Sequence, residues 1–321
     1  MLALSLLAAS SYLPLPYVQP VFRPPAEADS LILQVTVGCS WNKCSFCDMY
    51  TAEQQKFRVR PLEDIESDLA LAAKMSAGIG EPVRRIFLAD GDAMGLPVAR
   101  LKAILELIND ALPSVSRVSS YCLPRNTRAK SVEDLTALRE AGLRTMYVGC
   151  ESGDDEVLQR IGKGETCESS VEALQKLHAA GLKTSVMILH GLGGKHLSEQ
   201  HVAGSAKLIR AAPPNYLSTL VVSFPMGEER HASGFADAAD GKGFEQLSTE
   251  EVLFEQRALL EQLEGIGPPK GSRGVIFRSD HASNYLPLRG NLPRDREKLL
   301  MQLGAAQQGE IRLRPEWMRG L

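Results

Sequence analysis

The chain has 321 residues, 44% hydrophobic and 23% charged, the make-up of a globular protein with a sizeable core. Lys and Arg total 36 against 39 Asp and Glu, a net charge of −3, which excludes a protein that coats duplex nucleic acid through bulk charge. The length fits one α/β barrel of roughly 200–250 residues with extensions, and no heptad, collagen-like or solenoid repeat is present.

The opening stretch MLALSLLAASSYLPLPYVQPVF resembles a signal peptide in its apolar run and its small residues at Ala8–Ser11. No basic residue precedes that run, the first being Arg23, and Pro14, Pro16 and Pro20 break it. It is too short to span a membrane. Residues 1–30 are therefore expected to form an extended arm packed on the domain, and the protein is expected to be cytoplasmic.

A β-rich run follows at Leu31–Val37, then a cysteine loop. Helical spacing covers Asp64–Met75 after Pro61. Arg85–Ala89 (RIFLA) reads as a buried strand, Pro97–Leu112 as a helix and Arg117–Tyr121 as a strand. Ser131–Ala141 is a helix stopped by Gly142, and Thr145–Gly149 is a strand. Asp154–Ile161 and Glu168–Ala180 are helical, Lys183–Leu189 is a strand, Leu197–Ala211 a helix and Tyr216–Val222 the sixth strand. Strand thus alternates with helix six times over residues 31–225, which means a parallel sheet with right-handed crossovers. Six units suit an open partial TIM-type (β/α)6 barrel, an α/β fold whose active site lies at the C-terminal strand ends. The unusual polar clusters all fall directly after strands. Residues 226–321 differ: 231–243 is small and polar, Thr249–Leu263 and Arg294–Gln307 are helical, and 277–295 is polar and turn-rich. This tail is expected to be a C-terminal capping segment over the barrel mouth.

Of six cysteines, Cys39, Cys44 and Cys47 crowd into one loop, spaced C-x4-C-x2-C. Thiolates ligate iron–sulfur clusters, and three on one loop can reach three corners of a cubane, leaving one iron open. Structural zinc prefers four ligands in two pairs, and no fourth thiol or His is near. Chance clustering of buried cysteines is the plain alternative. Cys122, Cys150 and Cys167 are too scattered for a second cluster.

With these residues in view the chain resembles radical S-adenosylmethionine (SAM) enzymes, in the branch with an elongator- and methylthiotransferase-like core, over about residues 31–225. The resemblance implies that Cys39, Cys44 and Cys47 hold a [4Fe–4S] cluster whose open iron is chelated by SAM. Reduction would then yield a 5′-deoxyadenosyl radical that abstracts a substrate hydrogen. The common spacing is C-x3-C-x2-C, so the first gap here is one residue longer. Phe46 matches the aromatic position beside adenine. Asp90-Gly91-Asp92 stands where the family has a Gly-Gly-Glu-like segment meeting the SAM amino group, Asp92 replacing the glutamate. Glu151-Ser152-Gly153 matches a segment near the ribose and amino-acid part of SAM, and Gly191 and Gly193 match a glycine-rich turn beside adenine.

Each position also has a structural reading. Asp90-Gly91-Asp92 makes a turn, Ser152 or Asp154 caps a helix, and Gly191-Leu192-Gly193-Gly194 is a tight connection. His190 is read as structural. Cys122 and Cys150 are candidate hydrogen-atom donors or simply small buried residues. In the tail, Arg278–Tyr285 is dense in hydrogen-bonding groups, with His281 a candidate acid or base or part of a self-satisfied turn. Lys56, Arg58 and Arg60 either hold anions or form a solvated face.

Two other classes compete. An iron–sulfur electron-transfer protein leaves the loops after strands two, four and five unexplained. A zinc nucleic-acid module lacks ligands and basic charge. The expected substrate is a small molecule: the chain shows no basic, aromatic-rich RNA-binding module, too few residues precede Leu31 for a cobalamin-type domain, and the tail lacks a cysteine-rich domain. A reductant such as flavodoxin or ferredoxin is the expected partner, with no membrane and no nucleic acid.

Overall fold

Apolar β-rich runs alternating with amphipathic stretches set the architecture, described here from a computed structural model for residues 15–237, 243–269 and 271–319. The chain divides into two compact units. The first takes residues up to Asn42, Met49–Tyr147 and Ala179–Lys183; the second takes Lys43–Asp48, Val148–His178 and Thr184 onward.

The first unit holds β1 (Leu31–Gln34), β2 (Thr36–Val37), β3 (Arg58–Val59), α1 (Leu62–Ile79), β4 (Arg85–Ala89), α2 (Val98–Ala111), β5 (Arg117–Cys122) and α3 (Val132–Glu140). It also holds β6 (Leu143–Glu151) as far as Tyr147. The run read as one strand over 31–37 is interrupted at Val35. β1 pairs parallel with β4, whereas β2 pairs antiparallel with β3. In β4 every residue after Arg85 is fully buried, as a parallel strand covered on both faces requires. Phe87, Tyr121 and Tyr147, on neighbouring strands, meet edge to face at 4.9–6.4 Å. α1 ends at Gly80, whose φ of 71° lets its N–H turn back to the carbonyls of Ser76 and Ala77. Ser131 and Asp134 form a reciprocal capping box on α3. Before β1, Tyr17 Oη donates to Ile32 O at 2.9 Å and Val18 N–H donates to Gln34 Oε1 at 2.9 Å. The signal-peptide-like run over residues 1–14 lies outside the described residues.

The second unit holds the end of β6, α4 (Asp155–Arg160), α5 (Cys167–Ala179, as far as His178), β7 (Lys183–His190, from Thr184) and α6 (Gly194–Ala211). Then come β8 (Tyr216–Val221), α7 (Glu229–Ser233), α8 (Thr249–Gln262), β9 (Val275–Ser279), β10 (Leu288–Leu292) and α9 (Arg296–Gln307). Its core gathers Val157, Leu158 and Ile161 from the α4 region with Leu189, Leu192, Val222 and Phe235, and Phe46, Phe224 and Phe244 pack against it. Gly153 and Gly204 touch backbone to backbone, so a Cβ on either would run into the other's carbonyl.

Strand order is β1-β4-β5-β6 in the first unit and β6-β7-β8-β9-β10 in the second, eight strands of one mostly parallel sheet. Sequential order with parallel neighbours has no switch point, which separates it from a doubly wound sheet and matches the winding of an α/β barrel. The six predicted strands are all present. The tail adds two more where a polar, turn-rich stretch was expected: β9 runs parallel to β8 and β10 antiparallel to β9. β9 is legible only as Val275, Phe277 and Ser279 turned inward, and β10 (LRGNL) buries just its two leucines. The small, polar stretch 231–243 begins inside α7, and its Phe235 is buried. Among the described residues no helix is long and apolar enough to cross a membrane.

Candidate active site

In the first unit the polar strand ends surround two buried carboxylates. Asp90 follows β4 and is fully buried. It accepts from Tyr50 Oη at 2.8 Å and Gln34 Nε2 at 3.4 Å. Burial pushes its carboxyl up to about 6, against the pull of these donors. Gly91 is obligatory beside it, because a Cβ there would strike the Tyr50 ring. Asp92, also buried, accepts from Ser40 Oγ. Burial raises its pKa; Ser40, Asn126, Lys130 and Arg125 oppose the rise.

The residues of the longer C-x4-C gap that lie in this unit are each anchored. Ser40 bonds Asp92, the Arg125 guanidinium lies 3.6 Å over the Trp41 ring, and Asn42 donates to Tyr50 O at 2.8 Å. The extra length is thus taken up by specific contacts. Lys130 donates to the carbonyls of Met94 and Asn126. Burial lowers its pKa, and the nearby Cys122 and Asp92 resist this. Cys122 itself is buried, its Sγ 3.4 Å from Leu123 O. Arg60 is ion-paired with Asp68 at 2.5 Å and Lys56 with Glu53 at 2.5 Å, while Arg58 donates to the carbonyls of Gln54 and Lys56. These three are engaged within the chain rather than gathered for an anion.

In the second unit Glu151 ends β6 at a φ of 66° and pairs with Lys163 Nζ at 2.9 Å, both side chains buried. Burial drags the Lys163 ammonium down, but Glu151 and then Cys44 outweigh it and hold its pKa above the usual lysine range. Ser152 is fully buried, its Oγ 2.8 Å from His201 Nδ1 and accepting from Asp154 N–H at 3.0 Å. Asp154 caps α4 by accepting from Val157 N–H.

The glycine turn after β7 has Gly191 at φ 80° and Gly193 at the start of α6, three residues earlier than predicted. Gly191 N–H donates to Glu255 Oε1 at 2.7 Å, and the same oxygen lies 3.2 Å from His190 Nδ1. Glu255 also accepts from Ser198 and stands 3.8 Å from His201 Nε2. Burial would raise its carboxyl, yet His190 and His201 bring it below the usual range. His190 is therefore a structural partner of α8. Phe46 packs into the cluster that includes Leu192 of the glycine turn.

The remaining candidates sit apart from these groups. Cys150 is buried among neighbours that include Ser170 and Cys167 of α5, and burial pushes its thiol up to about 12. His281 lies in a self-bonded turn, 2.9 Å from Ser283 Oγ and accepting from Ser283 N–H, with Arg314 donating to its carbonyl. Burial lowers its pKa. Sequence reasoning missed Tyr50 and Lys130 in the first unit, and Lys163, His201, Arg230, His231 and Glu255 in the second. Only Lys163 carried a local signal, standing between Gly162 and Gly164, both at positive φ.

The donor set suits iron. None of the six cysteines forms a disulfide, Cys39, Cys44 and Cys47 are half-buried, and the Lys163 ammonium acts on the Cys44 sulfur and favours the thiolate, the form in which a cysteine can ligate iron. Among the described residues, no three His, Cys, Asp or Glu side chains are gathered to hold a metal ion.

Known proteins bear on the same residues. The pattern of the Radical SAM superfamily matches residues 33–209. The heme chaperone HemW of Bacillus subtilis is 24% identical over 184 residues, 56% of this chain and 47% of that protein. Coproporphyrinogen III oxidase of Escherichia coli, a radical SAM enzyme, shares the fold with a TM-score of 0.52 at 17% identity, over 73% of this chain and 52% of that one. The radical SAM methyltransferase TsrM of Kitasatospora setae, solved with cobalamin and a [4Fe–4S] cluster, gives 0.50 at 21% identity, over 64% and 40%. The chain spans about half the length of the curated heme chaperone it matches. Because the pattern covers more than half of the chain, its cysteine loop included, the chain belongs to the radical SAM superfamily, whose cofactors are a [4Fe–4S] cluster and SAM.

Proposed function

We propose that the chain is an enzyme that uses a [4Fe–4S] cluster on Cys39, Cys44 and Cys47 to cleave SAM reductively, giving a 5′-deoxyadenosyl radical that takes hydrogen from a small-molecule substrate. The superfamily match over residues 33–209 carries this reading. Asp92 is a buried carboxylate suited to the SAM ammonium, a charge-assisted pair. Phe46, packed against the apolar cluster that contains Leu192 of the glycine turn, suits the adenine. Glu151 is a weaker candidate for the ribose, because Lys163 already engages it. In this reading residues 31–225 are the cofactor-binding core and 226–321 the substrate-facing segment, with an external reductant such as a flavodoxin or ferredoxin.

The test uses anaerobically reconstituted protein with dithionite and SAM, assayed for 5′-deoxyadenosine by mass spectrometry. Wild type is expected to form it and Cys44→Ala to form none. A chain that binds zinc and no iron overturns the reading. A loaded cluster that forms no 5′-deoxyadenosine with any reductant or small-molecule pool moves the assignment to an electron-transfer protein.

A further inference from the structure

The one-turn helix α7 grips the Cys44–Cys47 turn. Arg230 Nη2 donates to Cys44 O and its Nη1 to Cys47 O, each at 2.9 Å, with Asp48 Oδ1 3.5 Å away. Cys44 O also accepts from Cys47 N–H at 3.2 Å, so the turn closed by its own backbone is closed again by the guanidinium fork. The next residue, His231, is fully buried. Its Nδ1 lies 3.1 Å from Ser45 Oγ and its Nε2 3.0 Å from Leu192 O. Ser45 N–H donates to Ile161 O at 2.8 Å, and the Lys43 carbonyl lies against Gly162. Every residue between and around the two cysteines is therefore held within the second unit. Arg230 brings to this turn a charge that no accessible pH removes, and its side chain is 41% exposed, so replacing it empties no core.

We propose that Arg230 is a positioning residue for the iron–sulfur cluster: its fork fixes the spacing of Cys44 and Cys47, and its positive charge raises the cluster's reduction potential. This rests on the reading that Cys39, Cys44 and Cys47 hold the cluster. A cation beside the ligands favours the reduced, more negative cluster. Groups that orient ligands from behind typically carry ten- to hundredfold in metal affinity.

The experiment compares reconstituted wild type, Arg230→Met and Arg230→Lys, each first shown to be folded by circular dichroism. Iron and sulfide content, the rate of iron loss to a chelator, and the midpoint potential by EPR-monitored titration without SAM are measured. Arg230→Met is expected to lose iron roughly ten- to hundredfold faster and to titrate at a more negative potential. Arg230→Lys keeps the charge and is expected to restore most of the potential but not the retention of iron. A folded Arg230→Met with wild-type potential and wild-type iron retention overturns the proposal. If wild type itself takes up no iron, the cluster assignment falls first and this inference with it; the wild-type control separates the two failures.

Discussion

The strand ends of the two units bury acids in opposite ways. In the first unit Asp90 is held by Tyr50 and Gln34 and Asp92 chiefly by Ser40 and Asn126, with the weaker pull of Lys130 and Arg125 on Asp92, and burial outweighs these and raises both carboxyls. In the second unit Glu151 has the Lys163 ammonium, while Glu255, hydrogen-bonded to His190, Ser198 and the Gly191 N–H, lies below the usual carboxylate range. A buried acid already paired with a cation is finished structure. A buried acid held by hydroxyls and amides retains affinity for a cation that has yet to arrive. Under the proposed function, this contrast favours Asp92 over Glu151 for the SAM ammonium.

The sharpest break of this comparison is Lys163→Met. Removing one partner of a buried ion pair strands the other, so urea unfolding of the cofactor-free chain is expected to show a loss of about 3–5 kcal/mol. Lys163→Met with Glu151→Gln should recover most of it. If the single variant unfolds like wild type, Glu151 is not held by charge.

A second measurement sets the units against each other by pH. Asp90 in the folded chain titrates near 6 instead of 3.8, so the native state binds the proton more tightly. Its contribution to stability falls as pH rises from about 4 to 6 and stays low above. His231 titrates near 4 instead of 6.5, so the unfolded chain binds the proton more tightly, and stability is lost as pH falls from 6.5 to 4. At 1.36 kcal/mol per unit each amounts to about 3 kcal/mol. In the cofactor-free chain, Asp90→Asn is therefore expected to be more stable than wild type by about 3 kcal/mol at pH 7.5 and equal to it at pH 4. The deficit of His231→Gln at pH 7.5 is expected to shrink by a similar amount at pH 4. Parallel pH curves for wild type and either variant contradict the assignment.

The smallest expected effect concerns the ligand. Asp92→Asn should weaken SAM binding to the reconstituted protein by roughly tenfold or more, the worth of a charge-assisted hydrogen bond. Glu151→Gln should lower stability and leave SAM affinity nearer to wild type. Isothermal titration of both variants decides the order, and the reverse order removes the contrast between the units.

The six strands read from the sequence were legible because parallel strands such as RIFLA are nearly uninterrupted apolar runs, and because Ser131 and Gly142 punctuate the helix between two of them. β9 and β10 were not, since at the end of a sheet a strand buries only alternate residues and its polar ones resemble a loop. The cysteine spacing announced the loop that holds Cys39, Cys44 and Cys47, but not what braces it. Arg230 and His231 lie in a polar stretch with no periodicity, and they act on backbone carbonyls and a hydroxyl far away in the chain. Tyr50 and Lys130 were missed for the same reason: their partners Asp90 and Met94 are near only after folding.

The seam between Gly153 and Gly204 has a consequence for how this chain can change. Where α6 meets the loop after β6, main chain lies on main chain, so no rotamers are ordered there and the contact costs no side-chain entropy. It also leaves nothing to repack. An ordinary helix crossing absorbs a methyl group by shuffling neighbouring side chains, whereas here the added volume displaces two peptide planes together. Sequence drift in this part of the molecule must therefore move around a fixed pivot, with Ser152 and Ser205 on either side of it bound to hold their size.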